Sequence, residues 1–159
     1  MELFRAVALM AATMTTGLMA GLYYAFVFAV MRGLARADDA TFVTAMQRVN
    51  TAILNGWFFL AFMGSLVLSA LAALLHLGEP ALPWAVAGFV LYAVGFATTM
   101  TVNVPLNNAL DAAGSTDPSA TRSAFEAKWN RWNTFRLVAS LAAFACLAWG
   151  LVEHGRALS

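Results

Sequence analysis

The chain has 159 residues, 62% of them hydrophobic and only 11% charged, with a net charge of +1 and a mean hydropathy of +0.74. That balance excludes an ordinary soluble globular domain and gives no reason to expect a nucleic-acid partner. A single cysteine, Cys146, set in an apolar segment, excludes a disulfide framework and reads as a packed thiol.

Four uncharged stretches are present: Ala6–Met31, Thr51–Leu75, Ala81–Leu110 and Leu137–Val152. Three exceed the ~20 residues a helix needs to cross a bilayer. The last, at 1.5 Å per residue, spans only ~24 Å and must draw polar residues such as Asn133 and Arg136 toward the membrane. The first is too long for the apolar core of a signal peptide and is read as retained. The expectation is an all-α bundle of four transmembrane helices, near 6–31, 51–75, 84–104 and 133–152, forming one integral membrane domain over 1–159. Amphipathic helices near 39–50 and 118–132 fill loops 1 and 3. Seven of the nine basic residues fall in those two loops, and only Arg5 and Arg156 lie opposite. The positive-inside rule then puts both loops in the cytoplasm and both termini outside the inner membrane.

In chain order, helix 1 carries Gly17 and Gly21 at a small-xxx-small spacing, suited either to internal packing or to a homo-oligomer. Tyr23 and Tyr24 follow, with Tyr24 a candidate substrate contact. Met10, Met14 and Met19 read as gap-fillers, not copper ligands. Loop 1 starts a helix at Asp38 or Asp39, whose apolar stripe is Phe42, Met46, Val49 and Ile53. Asn55 stands one turn inside helix 2. A Gly- and Pro-punctuated turn, His76 to Pro80, leads to helix 3. Pro105 lacks an amide donor and crowds the Thr101 carbonyl, so helix 3 is expected to kink or stop there, among Asn103, Asn107 and Asn108. Asp117 and Pro118 open a last helix that runs through Trp129 into helix 4. On it, Phe125, Trp129, Trp132 and Arg136 fall on one stripe, with Asn133 beside them.

A short internal repeat links the halves. Gln47-Arg48-Val49-Asn50-Thr51 aligns, 83 residues on, with Asn130-Arg131-Trp132-Asn133-Thr134, and Phe42 aligns with Phe125. Two repeated helical hairpins of equal orientation imply a pseudo-two-fold axis along the membrane normal, with a site near the interface of the repeats.

The distribution of amides is the informative asymmetry. All seven asparagines (50, 55, 103, 107, 108, 130 and 133) and Gln47 lie at the face that also carries the basic residues. One reading is a hydrogen-bonded plug that pins the repeats. The other is a polar pocket beneath an aromatic lid of Trp129, Trp132 and Trp57. Both histidines, His76 and His154, belong to the opposite face, so no metal ligands and no haem ligand are expected at the amide face. No phosphate loop and no nucleophile–base pair is evident, and no intramembrane carboxylate is present to couple protons to transport.

Several motifs taken together carry a resemblance. They are Tyr24-Ala-Phe26, Val30 to Leu34, Met46-Gln-x-x-Asn50, Asn103-x-Pro-x-Asn107-Asn108 and Trp129-x-x-Trp132-Asn133-x-x-Arg136. Over nearly its whole length the chain resembles the anthrone oxygenase-like integral membrane proteins (DUF1772). The resemblance implies a cofactor-independent oxygenase that uses O2 to convert the methylene of a phenolic anthrone, a lipophilic aromatic molecule, to a quinone carbonyl. It implies that Asn103, Asn107 and Asn133 donate to an oxyanion, Arg136 supplies positive charge, and Trp129 and Trp132 stack on the rings. Asn50, Asn55, Asn108 and Tyr24 would complete the binding site. A non-catalytic protein that binds a quinone, a lipid or a membrane partner through the same cluster is the alternative.

Overall fold

The structure is a computed structural model that describes residues 1–114 and 116–158. Among these residues it is all-helical, with five helices. They are α1 (Glu2–Leu34), α2 (Asp39–Ile53), α3 (Gly56–Leu75), α4 (Leu82–Ala112) and α5 (Pro118–Arg156). All but α2 are long and apolar enough to cross a membrane. α1 packs on α3 and α5, and α4 packs on the same two, so the four spans close a ring. α2 covers one end of it, against α4 and α5.

Side chains at the helix starts explain where the elements begin. Asp38 accepts from the Thr41 amide at 2.9 Å, Asn55 from Phe58 at 3.1 Å, and Asp117 from Ala120 at 3.0 Å, each satisfying a first-turn donor. The second span therefore starts at Gly56, because Leu54 leaves helical geometry and Asn55 caps the new helix. The third span corrects the expected stop at Pro105. A π-turn at Thr99–Asn103 lets the Val104 amide reach back five residues to the Thr99 carbonyl, and α4 continues to Ala112. The widened turn makes room for the proline ring that a regular helix would set against the Thr101 carbonyl. α1 has a matching π-turn at Phe26–Val30, with no proline to demand it.

The core forms three layers along the bundle. Phe26, Met31, Phe42, Met46, Phe125 and Trp129 pack at the amide end. Met19, Tyr23, Phe62, Tyr92 and Leu137 fill the middle. Leu9, Ala12, Ala72, Ala85 and Leu147 close the terminal end. Small residues set the tight crossings. A Cβ on Gly88 would stand 2.6 Å from Leu147 Cγ, and one on Gly17 would stand 3.0 Å from the Phe144 ring. Gly17 is thus used inside the chain, whereas Gly21 faces open space. Met19 is core, but Met10 and Met14 point outward with Val7 and Leu18, so they fill no gap.

Past the terminal layer the two histidines meet. His76 Nδ1 lies 2.7 Å from the Ala72 carbonyl and must donate to it, so in the neutral ring Nε2 accepts from His154 Nδ1 at 3.3 Å. Arg5 bridges Glu2 and Glu79 there and donates to the Leu75 carbonyl.

Two residues aligned across the halves meet in the fold. Phe42 and Phe125, 83 residues apart, touch each other edge to face at 6.4 Å, as equivalent residues do beside a two-fold axis. Arg122 ties the connection after α1 to α5, donating to the Ala35 and Ala37 carbonyls and pairing with Asp39 and Glu126. Gln47 donates to the Leu110 and Gly114 carbonyls, which fastens α2 to the end of α4.

Candidate functional site

A cavity of about 270 Å³ opens among α1, α2, α3, α4 and α5 at the amide end. Its size is just below the usual range of small-molecule sites, which starts at ~300 Å³. One side is aromatic and aliphatic: Phe58, Phe59 and Phe62 of α3, with Leu22, Ile53 and Leu54. Phe58 stacks on Phe62 at 5.3 Å and 11°, and Phe62 on Phe96 at 4.6 Å, so the rings of this side brace one another. The other side holds the polar groups: Tyr23, Asn50, Thr99, Asn107, Trp129, Asn133 and Arg136.

Arg136 is the centre of that polar side. It is 6% exposed, and among the described residues no ion pair joins it to a carboxylate. Its guanidinium donates to Asn133 Oδ1 at 2.8 Å and to Thr99 Oγ1 at 3.4 Å. It lies 4.6 Å from the centre of the Tyr23 ring and 5.6 Å from that of Trp129, in reach of both π faces. Nε has no partner at all. A buried guanidinium held only by neutral groups is costly unless something anionic joins it.

The neighbours fix the orientation of the amides. Trp129 Nε1 can only donate, and it does so to Asn107 Oδ1 at 2.9 Å, leaving the Asn107 amide nitrogen free to donate elsewhere. Arg136 likewise demands the oxygen of Asn133, whose nitrogen makes a long 3.4 Å bond to the Tyr23 carbonyl. Asn50 donates to Asp111 Oδ1 at 3.3 Å, so its own oxygen is spare. The site thus keeps more unused donors than acceptors, on one side of an otherwise apolar chamber.

Of the residues expected from sequence, Asn50, Asn107, Trp129, Asn133 and Arg136 come together on this wall. The others do not. Asn103 is buried, with neither amide atom bonded, and is not part of the wall. Asn55 spends its side chain on the α3 cap and the Ala52 carbonyl. Asn108 is exposed. Tyr24 is 54% exposed and packs on Phe28 at 4.6 Å, while its neighbour Tyr23 turns inward. Trp132 sits outside, in a shallow groove with Lys128 and Pro105, and Trp57 is 83% exposed. The inward stripe of α5 is therefore Phe125, Trp129, Asn133, Arg136 and Ser140, one helical position away from Trp132. On α2, Asn50 joins the buried face with Phe42, Val43 and Met46.

Tyr23, Thr99 and the α3 phenylalanines are site residues the sequence reading missed.

The sequence model of the anthrone oxygenase family matches residues 57–146, more than half the chain and most of α3, all of α4 and the first three-quarters of α5. No curated protein and no solved structure matches.

Proposed function

The chain belongs to the anthrone oxygenase family, and we propose that it is a membrane oxygenase acting on a phenolic, anthrone-like aromatic substrate with O2. The observation that carries the reading is Arg136: a buried cation with no carboxylate partner among the described residues, on the wall of a chamber lined by aromatic rings. A phenolic anthrone, once ionised, is an electron-rich enolate that reacts with O2 at its ring methylene. The carbanion carbon bonds to oxygen, the resulting peroxide anion takes up a proton to become a hydroperoxide, and loss of water, which carries off the second methylene hydrogen, leaves the carbonyl. One oxygen atom stays on the carbon and the other leaves as water.

The chain's own task is to bind the rings and favour the ionised form over the neutral one. Arg136 and the free nitrogen of Asn107 face the enolate oxygen, Tyr23 and Trp129 border the rings, and Asn133 holds the guanidinium in place. Asn50 faces Asn133 from the other repeat. Asn103, Asn55, Asn108, Tyr24 and Trp132 have no part in this scheme.

The test is oxygen uptake by purified membranes given emodin anthrone. The expected result is consumption of O2 and appearance of the quinone faster than spontaneous oxidation, lost in Arg136→Ala. A wild-type rate equal to the spontaneous one rejects catalysis and leaves a lipophile-binding protein.

A further inference from the structure

The cavity has a mouth, and the residues framing it face outward. Leu54, Phe59 and Met100 all border the cavity, yet they are 65%, 45% and 50% exposed. Apolar side chains that line a chamber on one side and the bundle surface on the other mark a lateral opening between α3 and the π-turn of α4. The helix break at Leu54 creates the gap: the equivalent stretch of α5 runs through Leu137 without interruption and keeps its wall closed.

Helix lengths give the depth of this mouth. α3, beginning two residues after Leu54, covers ~30 Å at 1.5 Å per residue, one hydrocarbon thickness. Trp57, exposed in its first turn, is placed as an interfacial anchor. On α5, Trp132 and Trp149 stand ~25 Å apart along the axis, marking both boundaries on a second helix. Arg136 lies one turn inside Trp132. The mouth therefore sits where headgroups meet acyl chains, with the guanidinium just behind it.

We infer that the ligand is an already ionised, flat amphiphile that passes sideways from the leaflet on the amide side through the Leu54–Phe59–Met100 gap, its anionic oxygen leading to Arg136. An ionised phenol with a fused-ring body concentrates at that boundary, charge toward the headgroups and rings in the hydrocarbon. Loading as the enolate, the ion in which the methylene proton has already been lost, also removes the need for a general base on the wall. The proton has left to interfacial water before binding, and Arg136 selects the anion from the neutral form. This rests on the site proposed above for its ligand class, but the route is tested by binding alone.

In a Cys146→Ser background, Leu54→Cys is reconstituted in phosphatidylcholine vesicles and treated with a lipid-partitioning pyrene maleimide or a membrane-impermeant charged thiosulfonate. Emodin binding is then followed by quenching of tryptophan fluorescence. The expected result is preferential reaction with the pyrene reagent and at least a tenfold loss of emodin affinity in the labelled protein. The same label at Val67→Cys, lower on the outer surface of α3, leaves affinity unchanged. Affinity should also rise with pH across the probe's own ionisation in wild type, and this rise should be absent in Arg136→Met. Met100→Cys provides an independent second position should Leu54→Cys not fold. Unchanged binding after labelling at the mouth overturns the route, and affinity indifferent to probe ionisation overturns the ligand class. If labelling blocks binding while anthrone oxidation stays at the spontaneous rate, the catalytic reading falls and the loading route stands.

Discussion

Replacing Arg136 with methionine separates a binding role from a structural one, because the two move in opposite directions. The guanidinium makes one short bond, to Asn133 Oδ1 at 2.8 Å, and one long one, to Thr99 Oγ1 at 3.4 Å. Losing it leaves the Asn133 oxygen unpaired, at about 1–3 kcal/mol for a buried acceptor. Against that, methionine removes a desolvated cation whose burial costs several kcal/mol and is offset by no carboxylate partner in the described chain. The two effects are of similar size and opposite sign, so Arg136→Met should melt within a few degrees of wild type, or above it, in detergent. Binding should suffer far more. A hydrogen bond from a charged donor to the ligand contributes about 1.5–3 kcal/mol, and at 1.4 kcal/mol per tenfold that is roughly a 10- to 150-fold loss of affinity for an ionised probe such as emodin. Thermal melts by size-exclusion recovery and fluorescence titration, run on the same preparation, read both quantities. A variant that melts far below wild type while its folded fraction binds emodin normally would show that Arg136 serves the scaffold, and the reasoning would fail.

Three further outcomes follow from the packing and the caps. Gly88→Ala forces a methyl to 2.6 Å from Leu147 Cγ and should destabilise the α4–α5 crossing by about 1–3 kcal/mol, with partial recovery in Gly88→Ala/Leu147→Ala, measured by thermal recovery. Trp129→Phe keeps the ring beside Phe125 but leaves Asn107 Oδ1 without its 2.9 Å donor. It should weaken emodin binding several-fold through the released amide, read in the same titration. The Thr41 amide, donating to Asp38, holds that carboxyl below the usual carboxylate range. The cap is therefore fully formed above the ordinary carboxylate pKa and weakens as pH falls through the lower, folded value. The protection factor for amide exchange at the start of α2, taken relative to the intrinsic rate at each pH, should fall on acidification in wild type and stay constant in Asp38→Asn.

The spans were legible because hydrophobic length is a coarse property: twenty apolar residues outweigh any local detail. Two caps were legible too, Asp117 and one of the pair Asp38 and Asp39, since they act on amides three residues away; Asn55, read as one turn inside a continuous helix, is instead the cap of α3. What the sequence concealed depends on rotation about a helix axis. Trp132 and Asn133 differ by 100° of turn, and so do Tyr23 and Tyr24. Apolar surroundings on every side give no amphipathic contrast to choose between them, because lipid and core attract the same residues. Pro105 misled for a different reason. Its effect on a helix depends on whether the preceding turn can widen, and the π-turn at Thr99–Asn103 is a backbone rearrangement with no residue signature of its own. The half-buried position of Trp132 outside the cavity, with Arg131 over its ring at 5.7 Å, is that of a tryptophan at a membrane boundary, which composition alone could not separate from a lid.

The site is built from positions that align between the two halves but carry different residues. Met46, Asn50 and Ile53 of α2 correspond, 83 residues on, to Trp129, Asn133 and Arg136 of α5, and all six border the cavity. A strictly symmetric pair would set two identical walls face to face. With Arg136 on both, two buried guanidiniums would repel; with Ile53 on both, nothing polar would remain at that depth. Divergence gives one repeat the cation and the indole and leaves the other aliphatic. The half without the charge also has the helix break at Leu54, one residue past the position aligned with Arg136. A continuous α2–α3 helix would extend the wall past Leu54 as α5 does past Leu137, sealing the chamber from the lipid. Charge on one repeat and an opening on the other are therefore complementary: the cation defines what can be held, and the break determines from which phase it can come.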